Sequence, residues 1–221
     1  MNTAKIIGVT QPVGLGFSSA EDLVAYAARV SNPSNQNNSS TAPKLLRYLA
    51  KHKHWSPFEM VSVVMEINTT RDIARQILRH RSFSFQEFSQ RYARGDELGF
   101  DLKEARLQDT KNRQNSIETN DRELQDIWQE LQQEVAANSK RVYEWAITNG
   151  IAKEQARAVL PEGLTMSRLY MAGTLRSWIH YCELRCDMAT QKEHRIVAED
   201  CKSELIKYFP SMKEFFTGET N

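Results

Sequence analysis

Cysteine is scarce. The 221 residues contain three, Cys182, Cys186 and Cys201, all late in the chain. An odd number does not make the framework of a disulfide-stapled secreted domain, and the spacing is not that of a zinc finger. The simpler reading is a reduced, intracellular chain. Long apolar runs are absent, which argues against a membrane-spanning helix. The opening MNTAKIIGVT lacks a leader pattern, so the expected location is cytoplasmic. Neither sign of charge is in excess: 29 Lys and Arg face 28 Asp and Glu, for a net charge of +1. No global attraction to a polyanion follows, and basic residues matter only where they cluster. Repeats, low-complexity tracts and long linkers are also missing, so residues 1–221 are expected to form one domain.

What is present is ordinary globular composition, 40% hydrophobic and 26% charged. Residues 4–10 read as a first strand. Ser18 or Ser19 can cap a helix running to about Ser31, and NPSNQNNSS, 32–40, is a polar loop, short enough for an ordinary connection and able to be mobile. A second helix covers Ala42 to His52, Pro57 marks a turn, and Val61 to Asn68 is β-branched enough for a strand. Residues 95–115 read as an irregular surface excursion. The longest helix is expected near 121–149, with Asn120 as N-cap, Glu123 completing a capping box and Gly150 as the stop. Its apolar positions are Leu124, Ile127, Leu131, Val135, Val142 and Trp145. A short helix passes through Gln155 and Arg157 before Pro161. LTMSRLYMAGTL reads as another strand, followed by helices from Ser177 and from Gln191 to about Tyr208. The expected class is α+β, with a central, mostly antiparallel sheet flanked by helices.

The densest chemistry lies in RHRSFSFQEFSQRY, Arg79 to Tyr92. Upstream, Arg71, Arg75, Gln76 and Arg79 fall at helical spacing, opposite an apolar face of Ile73, Ala74, Ile77 and Leu78. After Arg81 the pattern suits a strand, in which Glu87, Ser89 and Arg91 point the same way. A helix end delivering Arg79, His80 and Arg81 beside such a strand makes a pocket of cationic donors. Arginine forks grip phosphate and carboxylate oxygens through paired hydrogen bonds. A plain solvated helix face is the blander alternative, but the dominance of arginine over lysine favours an anion site.

Three further constellations stand out. His52 and His54 sit two apart, but no third ligand is evident, so no metal site is expected. Arg157 precedes Pro161 in ARAVLP. In GTLRSWIHYCELRCD, Arg176 and His180 share a helix face, whereas Arg185 lies about half a turn out of phase at roughly 100° per residue.

Together these residues resemble the signature of the flavin-dependent thymidylate synthases. The RHR triplet is followed by seven residues and then Ser89, with Glu87 two before it and Arg91-Tyr92 just after. Gln86 stands where the family usually has Asn. The family's His, hydroxyl, Pro, Phe, Glu run matches His54, Ser56, Pro57, Phe58 and Glu59, with Met60 where His is frequent. Arg157 matches an arginine that approaches the nucleotide. Arg176 and Arg185 match fully, while Thr174 and His180 stand where Asn is common. The matches run from Ser31 to Arg185.

The resemblance implies conversion of dUMP to dTMP, with methylenetetrahydrofolate as carbon donor, NADPH as reductant and bound FAD. It implies His54, Ser56, Arg79, His80, Arg81, Glu87, Thr174, Arg176 and His180 around the flavin. Gln76, Arg79, Glu87, Ser89, Arg91, Arg157 and Arg185 would bind the nucleotide. Arg185 would activate the pyrimidine by placing fixed positive charge at its edge. Ser89 is expected to bind and not to attack, because its cationic surroundings leave it without a good base. A homotetramer with shared sites is implied; nucleic acid and membrane are not partners. Two other readings compete. One is a nucleic-acid-binding module using the Arg71–Arg94 region, disfavoured because Phe83, Phe85 and Phe88 do not share a face. The other is a flavin reductase without methyl transfer.

Overall fold

The computed structural model describes residues 3–213 and residue 216. Strands β1 (Thr3–Val9), β2 (Ser62–Thr70), β3 (Ser84–Glu87) and β6 (Met166–Thr174) form one antiparallel sheet in the order β1-β2-β6-β3. A separate ribbon pairs β4 (Arg106–Gln108) with β5 (Ser116–Glu118). The excursion expected over 95–115 is therefore not wholly irregular. Strands this short carry too little alternation to be seen in sequence.

Helices cover one face of the main sheet. These are α1 (Ala20–Ala28), α2 (Ala42–Lys51), α3 (Arg71–Ile77), α6 (Leu175–Arg185) and α7 (Lys192–Tyr208). In β2, Val63, Met65 and Ile67 point into this core while Glu66 and Asn68 face outward. β6 repeats the alternation, with Leu169 and Met171 inside and Arg168 and Tyr170 outside. Period-two burial of this kind is what a sheet with one covered face requires. Trp178 of α6 is fully buried, and its indole N–H donates to the Val63 carbonyl at 3.0 Å. Truncating such a side chain costs roughly 3–5 kcal/mol.

Two strands pass into helices with no loop between. Thr70 ends β2 and Arg71 begins α3; Thr174 ends β6 and Leu175 begins α6. The Thr174 hydroxyl accepts from the Ser177 N–H at 3.3 Å and caps α6, so this helix starts before Ser177. The loop at 32–40 is tied down. Arg29, which is buried, bonds the Asn38 carbonyl and also the Thr41 hydroxyl at 2.7 Å.

α4 (Arg122–Thr148) is the long helix, followed by the short α5 (Lys153–Ala156) and a 3-10 turn at Arg157–Val159. Its N-cap is Asp121, not Asn120: the Asp121 carboxylate accepts from the Leu124 N–H at 3.0 Å. Gly150 does stop it, at φ 79°, where a side chain would be strained. The Gly150 and Ile151 N–H groups close onto the Ile147 and Ala146 carbonyls, a Schellman arrangement. The apolar stripe at helical spacing is left largely uncovered by the described residues. Leu131 and Val135 are each 49% exposed and Trp145 60%. Gln132, Ala136, Tyr143 and Ala146 are the buried positions instead.

Candidate active site

The arginine-rich stretch begins in α3, but α3 ends at Ile77, and Arg79 to Arg81 lie in the turn that follows. The expected cationic face therefore disperses. Arg71 reaches Glu87 at 3.5 Å, Arg75 pairs with Glu162, and Gln76 turns toward α7. The Arg79 and Arg81 side chains are exposed and make no hydrogen bond or ion pair among the described residues. The extended segment also stops early. β3 ends at Glu87, and the Tyr92 and Ala93 N–H groups turn back onto the Ser89 carbonyl, so Glu87, Ser89 and Arg91 do not continue one strand face.

The turn is anchored on α6. Phe83 packs edge-on against Trp178, with ring centroids 4.8 Å apart, and lies directly over Gly173. A Cβ on Gly173 would sit 2.4 Å from the Phe83 ring, so only glycine admits this contact. The anchoring delivers His80 to Arg185, whose Nε donates to His80 Nε2 at 2.9 Å. That bond requires an unprotonated Nε2. Burial, followed by the Arg185 charge, pushes the His80 imidazole down to about 4. The charged neighbour responsible is Arg185, 105 residues away in sequence, not the adjacent Arg79 or Arg81.

Behind His80 lies a polar relay that sequence reading missed. Tyr181 and His194 are buried, and the Tyr181 hydroxyl is 3.1 Å from His194 Nε2. His194 Nδ1 is 3.2 Å from Gln76 Oε1, and Gln76 Nε2 donates to Gln191 Oε1 at 2.7 Å. Burial, then Arg185 and His80, holds His194 down to about 3, so it stays neutral. No sequence signal marked it, because a lone histidine on a helix resembles any packed one.

α6 is a wall shared by two groups. Arg185 meets His80, whereas Arg176 pairs with Glu59 in the 3-10 segment Ser56–Met60. The two arginines thus diverge, as their helical phase requires. His180 packs edge-on against Trp55 at 4.8 Å, and His54 lies exposed beside Tyr48 and His52. Ser56 is exposed, and Thr174 is spent on capping α6.

A third group lies across the sheet edge. Glu87 accepts from the Ser167 hydroxyl at 2.9 Å. Glu87 and Ser89 line a cleft of about 540 Å³ with Gln86, Tyr92, Arg168 and Tyr170. Arg168 was missed, although the alternation of β6 puts it on the outer face beside β3. Arg91 pairs with Glu154 at 3.1 Å, and the Arg157 guanidinium donates to the Glu154 carbonyl at 3.3 Å. Arg91 and Arg157 therefore share Glu154 of α5, whereas Arg185 bonds His80.

Comparison with known proteins agrees with this motif set. The Thy1 family pattern, thymidylate synthase complementing protein, matches residues 16–211. The chain belongs to the flavin-dependent thymidylate synthase family. It is 52% identical over 210 residues to a probable flavin-dependent thymidylate synthase of Paramecium bursaria Chlorella virus 1, covering 95% of this chain and 96% of that one. A flavin-dependent thymidylate synthase of Synechocystis sp. is 51% identical over 194 residues, 88% of each. Among solved structures, a UMP/dUMP methylase PolB from Streptomyces cacaoi bound with 5-Br dUMP superposes with a TM-score of 0.82. It is 26% identical and covers 99% of this chain and 95% of that chain. Membership makes the chain an enzyme of this family. No described helix is long and apolar enough to cross a membrane.

Proposed function

We propose that the enzyme reductively methylates dUMP to dTMP, with methylenetetrahydrofolate as carbon donor, NADPH as reductant and FAD bound. The observation that carries this reading is the His80–Arg185 pair. Its Nε spent on a neutral imidazole, Arg185 keeps its terminal nitrogens free of hydrogen bonds among the described residues. A guanidinium held by one edge presents its other face to a ligand. Beside a pyrimidine, that fixed charge favours the N3-deprotonated ring and so raises electron density at C5.

The donor set suits a flavin dinucleotide. Arg79 and Arg81 offer unpaired forks for diphosphate oxygens, and Arg176 with His54 and His180 adds cationic and flat aromatic groups. Bound flavin supplies the hydride chemistry. The chain's own residues bind and orient. Ser89, Arg91 and Arg157 supply hydroxyl and cationic donors for a nucleotide monophosphate, Gln76 adds an amide donor, and Glu87, fixed by Ser167, offers an acceptor to a ribose hydroxyl. Ser89 binds without attacking, since no base stands hydrogen-bonded to its hydroxyl among the described residues.

These groups occupy separate parts of one chain, which supports a site completed by other copies. The exposed stripe on α4 supplies the means. Leu124, Ile127, Trp128, Leu131 and Val135 are each between 37% and 49% exposed along one helix, an apolar surface suited to a second copy and consistent with a homotetramer. Residues 1–221 serve as one domain in this assembly, acting in the cytoplasm. The nucleic-acid reading loses its support, because Phe83 and Phe85 pack against the core and offer no stacking platform. The deciding experiment is optical. Purified protein should carry a flavin spectrum that NADPH bleaches, faster with dUMP, and it should release dTMP when methylenetetrahydrofolate is added. Bleaching without dTMP would leave only a flavin reductase.

A further inference from the structure

The relay behind Gln76 continues beyond Gln191. Gln191 Nε2 donates to Glu193 Oε2 at 2.9 Å, and Glu193 is held by Arg106. Burial raises the Glu193 carboxyl, but its hydrogen bonds to Arg106, its own backbone and Gln191 outweigh that and keep it low. Glu193 is thus charged and can only accept.

That anchor fixes the polarity of every link. Gln191 must turn its NH2 to Glu193, which aims its carbonyl at Gln76. Gln76 must answer with its own NH2, which turns its carbonyl to His194. His194 must then carry its single proton on Nδ1, leaving Nε2 to accept from the Tyr181 hydroxyl. Reversing any one member sets two acceptors or two donors face to face.

We propose that Glu193, Gln191, His194 and Tyr181 are positioning residues that lock the Gln76 amide in one orientation. Gln76 then presents its remaining N–H to an acceptor oxygen of the nucleotide. The role of Gln76 rests on the function proposed above; the locked polarity does not. A freely rotating amide would offer carbonyl or NH2 with equal ease, and half of its encounters with a phosphate or carbonyl oxygen would be repulsive. The relay removes that choice without adding charge.

The test has two arms. In the first, nitrogen-15 histidine spectra of the wild-type, flavin-loaded enzyme without nucleotide at neutral pH report the His194 tautomer. Protonation at Nδ1 is expected, and protonation at Nε2 would overturn the proposal. In the second, dUMP binding is measured by calorimetry for His194→Gln, which keeps an N–H donor, and His194→Leu, which has none. The Leu variant should bind dUMP roughly three- to tenfold more weakly, the worth of one neutral hydrogen bond, while NADPH reduces its flavin at the wild-type rate without nucleotide. The Gln variant should recover most of the affinity. Equal weakening in both variants would mark a packing defect and remove the positioning role, as would wild-type affinity in both. Should neither variant fold, the wild-type tautomer decides. Absence of dUMP binding to the wild type would sink the proposed function but leave the tautomer result standing.

Discussion

Acid should destabilise this protein through His194, beginning as the pH drops below 6.5. The imidazole is fully buried and held down to about 3 from an ordinary 6.5. Above pH 6.5 it is neutral both folded and unfolded, and it contributes no pH dependence. Below 6.5 the unfolded chain takes up the proton and the folded one does not, so stability falls as pH falls, down to the folded value near 3. At pH 5 the gap from 6.5 corresponds to about 2 kcal/mol lost to this one residue. His80, also lowered, adds a loss of the same sign. The assay is urea unfolding at fixed protomer concentration between pH 8 and pH 5, comparing wild type with His194→Gln. Fixed concentration matters because association would itself shift the midpoint. The wild type should lose stability more steeply below pH 6.5, and the two curves should run parallel above it. Parallel curves throughout would refute a buried, neutral His194.

Four other outcomes are expected. Arg185→Ala should still reduce its flavin with NADPH but lose about a hundredfold or more in dTMP formation, the scale of removing one electrostatic stabiliser. Ser89→Ala should keep measurable turnover with weakened dUMP binding; full activity in the first variant, or a covalent Ser89–nucleotide adduct by mass spectrometry, counts against the assignments. If His54 and His180 serve the flavin as proposed and hold no metal, exhaustive chelation should leave turnover intact, and zinc-dependent restoration of lost activity would be the contrary result. Leu131→Asp should place a charge in the apolar stripe of α4 and shift the sedimenting species toward monomer, with activity falling in step; an unchanged assembly would show that α4 is not an interface.

Much of the architecture was legible because it rests on local rules. β-branched composition marked β2, the run LTMSRLYMAGTL read as the strand β6, and glycine at 150 marked the end of α4. The motif residues were legible by type, yet their partners were not. Spacing could not show that α3 ends before Arg79, because Leu78, Arg79 and His80 continue a helical pattern until the turn is secured by Phe83 over Gly173, a contact between distant segments. The stripe on α4 was legible as apolar, but not what would cover it. Periodicity identifies a face that needs covering, and it is silent on whether the cover belongs to the same chain. Tyr181, His194 and Arg168 escaped notice because each acquires meaning only from a neighbour that the fold supplies.

The loopless junctions at Thr70–Arg71 and Thr174–Leu175 make the chain rigid in a way that bears on how such sequences diverge. Each helix leaves its strand with no slack residue to absorb a change in length. A single insertion after Thr174 would rotate every later position of α6 by about 100° and carry Arg185 away from His80. One insertion in β2 would exchange its inner and outer faces as well. Length variation should therefore collect in segments such as 32–40 and 109–115, where backbone joins elements without setting their phase. At the two junctions, evolution can exchange a side chain more readily than it can add or remove a residue.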